Sequence, residues 1–216
     1  SSDLVMNHVR NKRYHDLISN MNVVLEQKVA EKTAALQAAL SLSQEAEYEI
    51  CLRLGRAAEF RDMETGMHTR RISEMSKALA LLAGLTGEQA ELLRFASPLH
   101  DVGKIGIPDH ILLKPERLSD EEWEIMKKHS EKGYNLAKST PELNSIADSI
   151  LHHHERWDGT GYPTGLRGEE IPKLSRILAI VDAYDVITHS RAYKKAQSEI
   201  DALREIERCA GSQFDP

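Results

Sequence analysis

An all-α protein is expected from three features of this chain. Its 216 residues are rich in Ala, Leu, Glu, Lys, Arg and Gln, the types that lose least on entering a helix. Aromatic residues are only 5% of the total and β-branched runs are scarce, which leaves little to build a pleated sheet. Apolar residues recur three and four apart rather than alternating, which is the period of one helix face.

From Tyr14 to Asp62 there is no proline, and Gly55 is the only glycine. Within that stretch Leu25, Val29, Leu36, Ala39, Ala46 and Ile50 form a thin apolar stripe, interrupted by Lys32 and Ser43. A helix so long with so narrow a stripe cannot bury itself, so residues 1–51 are expected to form a linker helix that pairs with a second copy as a parallel coiled coil. The compact domain is expected over 52–216. Ile72, Met75, Leu79 and Leu82 share one helical face there, and Leu92, Leu93, Phe95, Ala96 and Leu99 form another stripe that leads into His100 and Asp101. Ser119 with Glu122 reads as a capping box, opening a helix through Trp123, Met126 and His129. Pro141 fits the first turn of a helix that runs to the His152–His154 cluster. A Gly- and Pro-rich loop from Asp158 to Pro172 follows, and Ile177, Leu178, Val181, Tyr184 and Ile187 mark a further helix.

Composition narrows the function. A net charge of -6 provides no global positive field, so nonspecific DNA or RNA binding is not expected. An anionic substrate would need a metal or a local cluster of Lys and Arg. No apolar run reaches the roughly 20 residues of a membrane span, and no signal peptide is evident. The two cysteines, Cys51 and Cys209, have no metal-ligand spacing and read as free thiols of a reducing cytoplasm.

The chemistry concentrates in histidine. Of ten His residues, His68, His100, His129, His152, His153 and His154 lie in the expected compact domain beside Glu64, Asp101 and Asp182. A single His is more often structural than a ligand; six in one domain beside carboxylates point to metal. Glu64 and His68, four apart, leave the same helix face. His100 and Asp101 would diverge by about 100° on a helix, so the carboxylate can reach two ions while the imidazole holds one. Imidazole and carboxylate without thiolate suit first-row divalent ions rather than a structural zinc site. His8, His15, His110 and His189 read as non-ligands.

Two blocks carry a resemblance. One is His100-Asp101-x-x-Lys104; the other is His153-His154-Glu155-Arg156-Trp157-Asp158-Gly159-Thr160-Gly161-Tyr162-Pro163. The match continues through Gly165-Leu166, Gly168, Ile171-Pro172, Arg176-Ile177 and the run from Val181 to Val186, with Glu64-Thr65-Gly66-Met67-His68-Thr69-Arg70 upstream. Together these resemble the HD-GYP subgroup of HD-domain phosphohydrolases, over roughly Leu52 to Pro216. The resemblance implies an HD-domain helical bundle that hydrolyses the 3′–5′ phosphodiester of cyclic di-GMP to the linear dinucleotide, with GMP as a further product if a second cut occurs. It implies metal ligation by Glu64, His68, His100, Asp101, His129, His153, His154 and Asp182, with Asp101 bridging. Two or three divalent ions are expected, iron or manganese first, with zinc, nickel or magnesium also admissible; members that carry the Glu64 equivalent look able to hold the third.

The same resemblance makes Asp101 and Lys104 catalytic, Lys104 neutralising a phosphate oxygen. It places Lys104, Tyr162, Asp185, Arg191 and Lys194 against substrate. The family pattern Arg-Pro-Tyr is here Arg191-Ala192-Tyr193. Two other readings stay open: a weakly active or inactive module that binds a cyclic dinucleotide or another protein, and a hydrolase for another nucleotide, including the mixed cyclic GMP–AMP. Trp157 reads as packing. Family members are linked to diguanylate cyclase domains with a GGDEF motif. The segment Leu25–Thr33 resembles linkers between a receiver domain and an HD-GYP domain, which implies an upstream receiver and a histidine kinase in a longer response regulator. The chain stops at Gln213-Phe214-Asp215-Pro216, where family members continue into a last helix, so a fragment is expected.

Overall fold

The computed structural model describes residues 2–61, 67–190 and 196–216, and their side chains except those of 2–5 and 141–142. The expected all-α architecture is what it shows: among the described residues there is no strand, only an isolated bridge between Ala210 and Phe214. The α-helices are α1 (Ser2–Arg61), α2 (His68–Leu82), α3 (Gly87–Ala96), α4 (Asp109–Leu112), α5 (Asp120–Lys138), α6 (Ala147–Leu151), α7 (Lys173–Thr188) and α8 (Glu199–Arg208). Short 3₁₀ segments at Ser97–Leu99, Val102–Gly106, Pro141–Ile146 and Gly168–Glu170 join them.

The chain divides into two units, Ser1–Glu47 and Tyr48–Pro216. The first is helical, and every described side chain in it is exposed, including Leu17, Ile18, Met21, Val24, Leu25, Val29 and Leu36. No described helix is long and apolar enough to cross a membrane.

In the second unit the core gathers Ile72, Leu93, Ala96, Leu99, Val102, Ile146, Ala147, Ile150, Ile177, Leu178 and Val181. A smaller cluster of Ile107, Ile111 and Leu112 lies against Leu118, Ile125 and Met126. The inner face of α2 differs from expectation. Ile72 is buried and Met75 and Leu79 pack against the core, but Leu82 is 85% exposed. The buried face instead runs through His68, Thr69, Ile72, Ser73, Ser76 and Ala80. Small and polar side chains there let neighbours approach: Ser73 Oγ shares a 2.9 Å hydrogen bond with the Tyr48 hydroxyl, and the Arg94 guanidinium lies 3.6 Å over the Tyr48 ring.

The helix starts follow local chemistry. Thr86 with Gln89 opens α3, and Ser119 with Glu122 opens α5, each as a full capping box. Pro141 begins the 3₁₀ turn that feeds α6 and then the histidine cluster. The segment Val102–Gly106 crosses α5 so closely that a Cβ on Gly103 would sit 1.9 Å from the carbonyl oxygen of His129. Only glycine permits that approach, and it brings Asp101 to His129. Neither cysteine forms a disulfide among the described residues; Cys51 is buried and Cys209 partly so.

Candidate metal centre

Five chain segments deliver the ligand candidates. His68 opens α2. His100 and Asp101 lie between the two 3₁₀ segments that follow α3. His129 is on the inner face of α5. His153 and His154 follow α6, and Asp182 lies on α7. Their inward atoms form two groups, each with all ligand atoms within 4.8 Å of one another: Asp101, His129, His153 and His154 in one, His68, His100 and Asp182 in the other.

Asp101 faces both groups. Its Oδ1 is 3.2 Å from His129 Nε2 and 3.8 Å from His153 Nε2, while its Oδ2 is 3.3 Å from His100 Nε2. One carboxylate oxygen thus points to each group, which is the arrangement a bridging ligand needs. Lys104 Nζ sits 2.9 Å from the same Oδ2. In the second group His68 Nε2 lies 3.4 Å from Asp182 Oδ1.

Four imidazoles are oriented by the nitrogen that faces away from the centre. His100 Nδ1 bonds to the Ser97 carbonyl at 2.7 Å, His129 Nδ1 to the Met126 carbonyl at 2.8 Å, and His153 Nδ1 to the Ile150 carbonyl at 2.6 Å. Each acceptor is three residues earlier in the chain. His68 Nδ1 is held at 2.6 Å by Asp185 Oδ2. An imidazole anchored in this way offers Nε2 as the ligand atom.

The electrostatics differ between the groups. Burial pulls the imidazolium forms of His129 and His153 below the ordinary value, His153 well below it, and takes His154 down to about 4. Burial also works against a charge on His100, but Asp101, Asp182 and the Ser97 carbonyl outweigh it and raise that ring to about 9. Asp101 is held well below the usual carboxylate range: its burial opposes ionisation, and Lys104, His100 and His129 together prevail. Burial raises the Tyr162 hydroxyl well above its ordinary value, so it stays a proton donor at neutral pH.

These residues fit a divalent-metal centre. Among the described residues, Asp101 Oδ1 and His153 Nε2 are buried with no hydrogen-bond partner, a costly state for two polar atoms aimed at one point. A cation between them would satisfy both, and the imidazole–carboxylate donor set suits first-row ions.

Other expected site residues distribute as follows. The Tyr162 ring lies 4.8 Å from that of His154, with Trp123 edge-on to it at 5.9 Å. Glu64, Arg191 and Lys194 lie outside the described residues. Asp185, expected against substrate, lies one turn beyond Asp182 on α7. It is 1% exposed, beneath His68, and takes hydrogen bonds from Arg71 Nε at 2.6 Å and Arg71 Nη2 at 2.9 Å. The Arg71 guanidinium and His68 hold it well below its ordinary pKa against the opposing effect of burial. Sequence reasoning overlooked Arg71 and the orienting role of Asp185. The available signal was a pair of matched spacings, His68 with Arg71 and Asp182 with Asp185, each three apart on one helix face. A cavity of about 700 Å³ opens beside the centre, lined by His153, His154, Asp182, Ala183, Gln197 and Asp201 among others.

Comparison with known proteins agrees with this geometry. The HD domain family model matches residues 55–216. A cyclic di-GMP phosphodiesterase of Thermotoga maritima is 43% identical over 171 residues, covering 78% of this chain and 46% of that protein. The cyclic di-GMP phosphodiesterase response regulator RpfG of Xanthomonas campestris pv. campestris is 36% identical, covering 99% of this chain and 59% of its own length. A 3'3'-cGAMP-specific phosphodiesterase of Vibrio cholerae is 42% identical, covering 78% of this chain and 33% of that protein. The chain therefore spans about half the length of the first two relatives and a third of the last. With a shared-carboxylate histidine cluster, the motif blocks that surround it and the family match all over the same residues, the chain belongs to the HD-domain family, in its HD-GYP branch.

Proposed function

We propose that this chain hydrolyses the 3′–5′ phosphodiester of cyclic di-GMP at a multinuclear metal centre. The observation that carries the proposal is Asp101 set between two ligand groups, one carboxylate oxygen toward each. In this reading His129, His153, His154 and Asp101 would hold one divalent ion, and His68, His100 and Asp182, with Asp101 beside them, would hold a second. Glu64 is the candidate for a third. Iron or manganese are the first choices. Divalent ions held there would lower the pKa of a bound water and neutralise charge on the phosphoryl oxygens.

The remaining residues act on the substrate itself. Lys104 places an ammonium beside Asp101, where it can stabilise the charge that builds on a nonbridging phosphate oxygen. Tyr162 keeps its proton and presents a donor at the rim of the centre. Arg191 and Lys194 are the candidate contacts for the second phosphate. The neighbouring cavity lies within the size range of small-molecule sites, roughly 300–1,000 Å³. Residues 1–51 would pair two copies as a cytoplasmic coiled coil and, where a receiver domain phosphorylated by a histidine kinase is joined to them, pass on its state. A GGDEF-domain protein is a further candidate partner.

A second substrate has support. The relative named for 3'3'-cGAMP is nearly as similar, at 42% identity, as the Thermotoga relative at 43%. The test is direct. The protein loaded with Mn(II) or Fe(II) is incubated with cyclic di-GMP and, separately, with cyclic GMP–AMP, and the products are resolved by chromatography. Conversion of cyclic di-GMP to a linear dinucleotide is expected. Turnover of the mixed dinucleotide alone would transfer the assignment to it, and turnover of neither would leave a binding module.

A further inference from the structure

We infer that Glu155 is a positioning residue, which clamps the Tyr162 loop against the metal centre. The Glu155 side chain is fully buried, 0% exposed, although it directly follows the two histidines. Its carboxylate accepts three backbone N–H bonds from successive residues: Thr164 to Oε1 at 2.7 Å, Gly165 to Oε1 at 3.1 Å and Leu166 to Oε2 at 3.1 Å. Three converging amide donors are a strong fixture for an acid in a dry site, and they define where the loop can lie.

The clamp has two consequences. It fixes the stretch that follows Tyr162, while the Tyr162 N–H bonds to the His154 carbonyl at 3.2 Å. It also presses the loop onto the 154–156 backbone, where a Cβ on Gly161 would fall 2.4 Å from the Arg156 nitrogen. Tyr162 is thereby held with its ring against His154 and across from His129. The Glu155 carboxylate is engaged by the three amides and belongs to neither candidate ligand group; it acts through Tyr162.

Two measurements on the metal-loaded full chain test this. In the first, Glu155→Gln, which turns an acceptor into a donor facing the amides, should speed hydrogen exchange at Thr164, Gly165 and Leu166 by roughly tenfold or more. Glu155→Asp, which keeps the charge but shortens the reach, should fall between the two. The second is a double-mutant cycle with Tyr162→Ala, read as kcat/KM, with metal content measured alongside. If Glu155 works through Tyr162, the double variant loses no more than about the larger single loss, and metal content stays at the wild-type level.

Unchanged exchange, losses that multiply, or loss of metal from Glu155→Gln would each overturn the inference. The cycle rests on the phosphodiesterase reading, whereas the exchange measurement does not. If the wild type cleaves bis(p-nitrophenyl) phosphate but no cyclic dinucleotide, the substrate assignment falls and the cycle is run on that diester. If it cleaves neither, the proposed function fails, and the exchange measurement alone decides the clamp.

Discussion

Lys104 and His100 flank one carboxylate, and both favour its ionised form. Lys104 is an ammonium within 2.9 Å of Asp101 Oδ2, and in the proposed mechanism it stabilises the charge of the transition state. Its replacement by Ala should lower kcat on the order of 100-fold while leaving the His129, His153 and His154 ligands in place, which steady-state kinetics and metal analysis would show together. His100 is raised to about 9 by its acidic neighbours, so the metal-free protein carries a proton there at neutral pH. A metal at Nε2 must displace that proton. The three rings of the other group are shifted downward and are already neutral. Metal loading at pH 7.5 should therefore release about one proton from His100, measurable by calorimetry in buffers of different ionisation enthalpy. Because the folded pKa is raised, apparent affinity at that group should climb by up to about tenfold per pH unit until near pH 9. A flat profile between pH 7 and 9 would mean that His100 is neutral before loading.

Among the helices, α5 is the one whose start and function are both legible. Its capping box, Ser119 with Glu122, fixes where the helix begins and so the turn on which His129 falls. Ser119→Ala should destabilise the protein by about 1 kcal/mol, seen as a lower denaturant midpoint with an unchanged slope. The stripe through α2 was less legible. A hydrophobic periodicity marks Leu82, yet the packed face sets Thr69, Ser73, Ser76 and Ala80 beside Ile72. Small residues pack when a neighbour comes close, and the sequence carries no mark of which neighbour that is. Asp185 shows the same limit at another helix. Its spacing from Asp182 indicates a shared face, but its partners Arg71 and His68 are more than a hundred residues away in the chain.

For the molecule as a whole, the exposed Leu17, Ile18, Met21, Leu25, Val29 and Leu36 of the first unit leave apolar surface unpaired along a helix. If a second copy covers it, the 216-residue chain sediments as a dimer and a chain of residues 48–216 as a monomer that keeps its metals and turnover. A monomeric full chain at micromolar concentration would make the helix a spacer, with its apolar side chains left to solvent.

The helical character, the α5 cap, the motif blocks and the roster of histidines and carboxylates could all be read from residue order, because each depends on neighbours within a few positions. Adjacency, i to i+3 spacing and capping are local chemistry. The division of those ligands into two groups, the place of Asp101 between them, the burial of Asp185 beneath His68 and the three amides on Glu155 belong to the folded chain. They arise where separate segments meet, at contacts such as the crossing of Gly103 over His129, and the depth and charge of each meeting set which imidazoles are neutral and which is protonated.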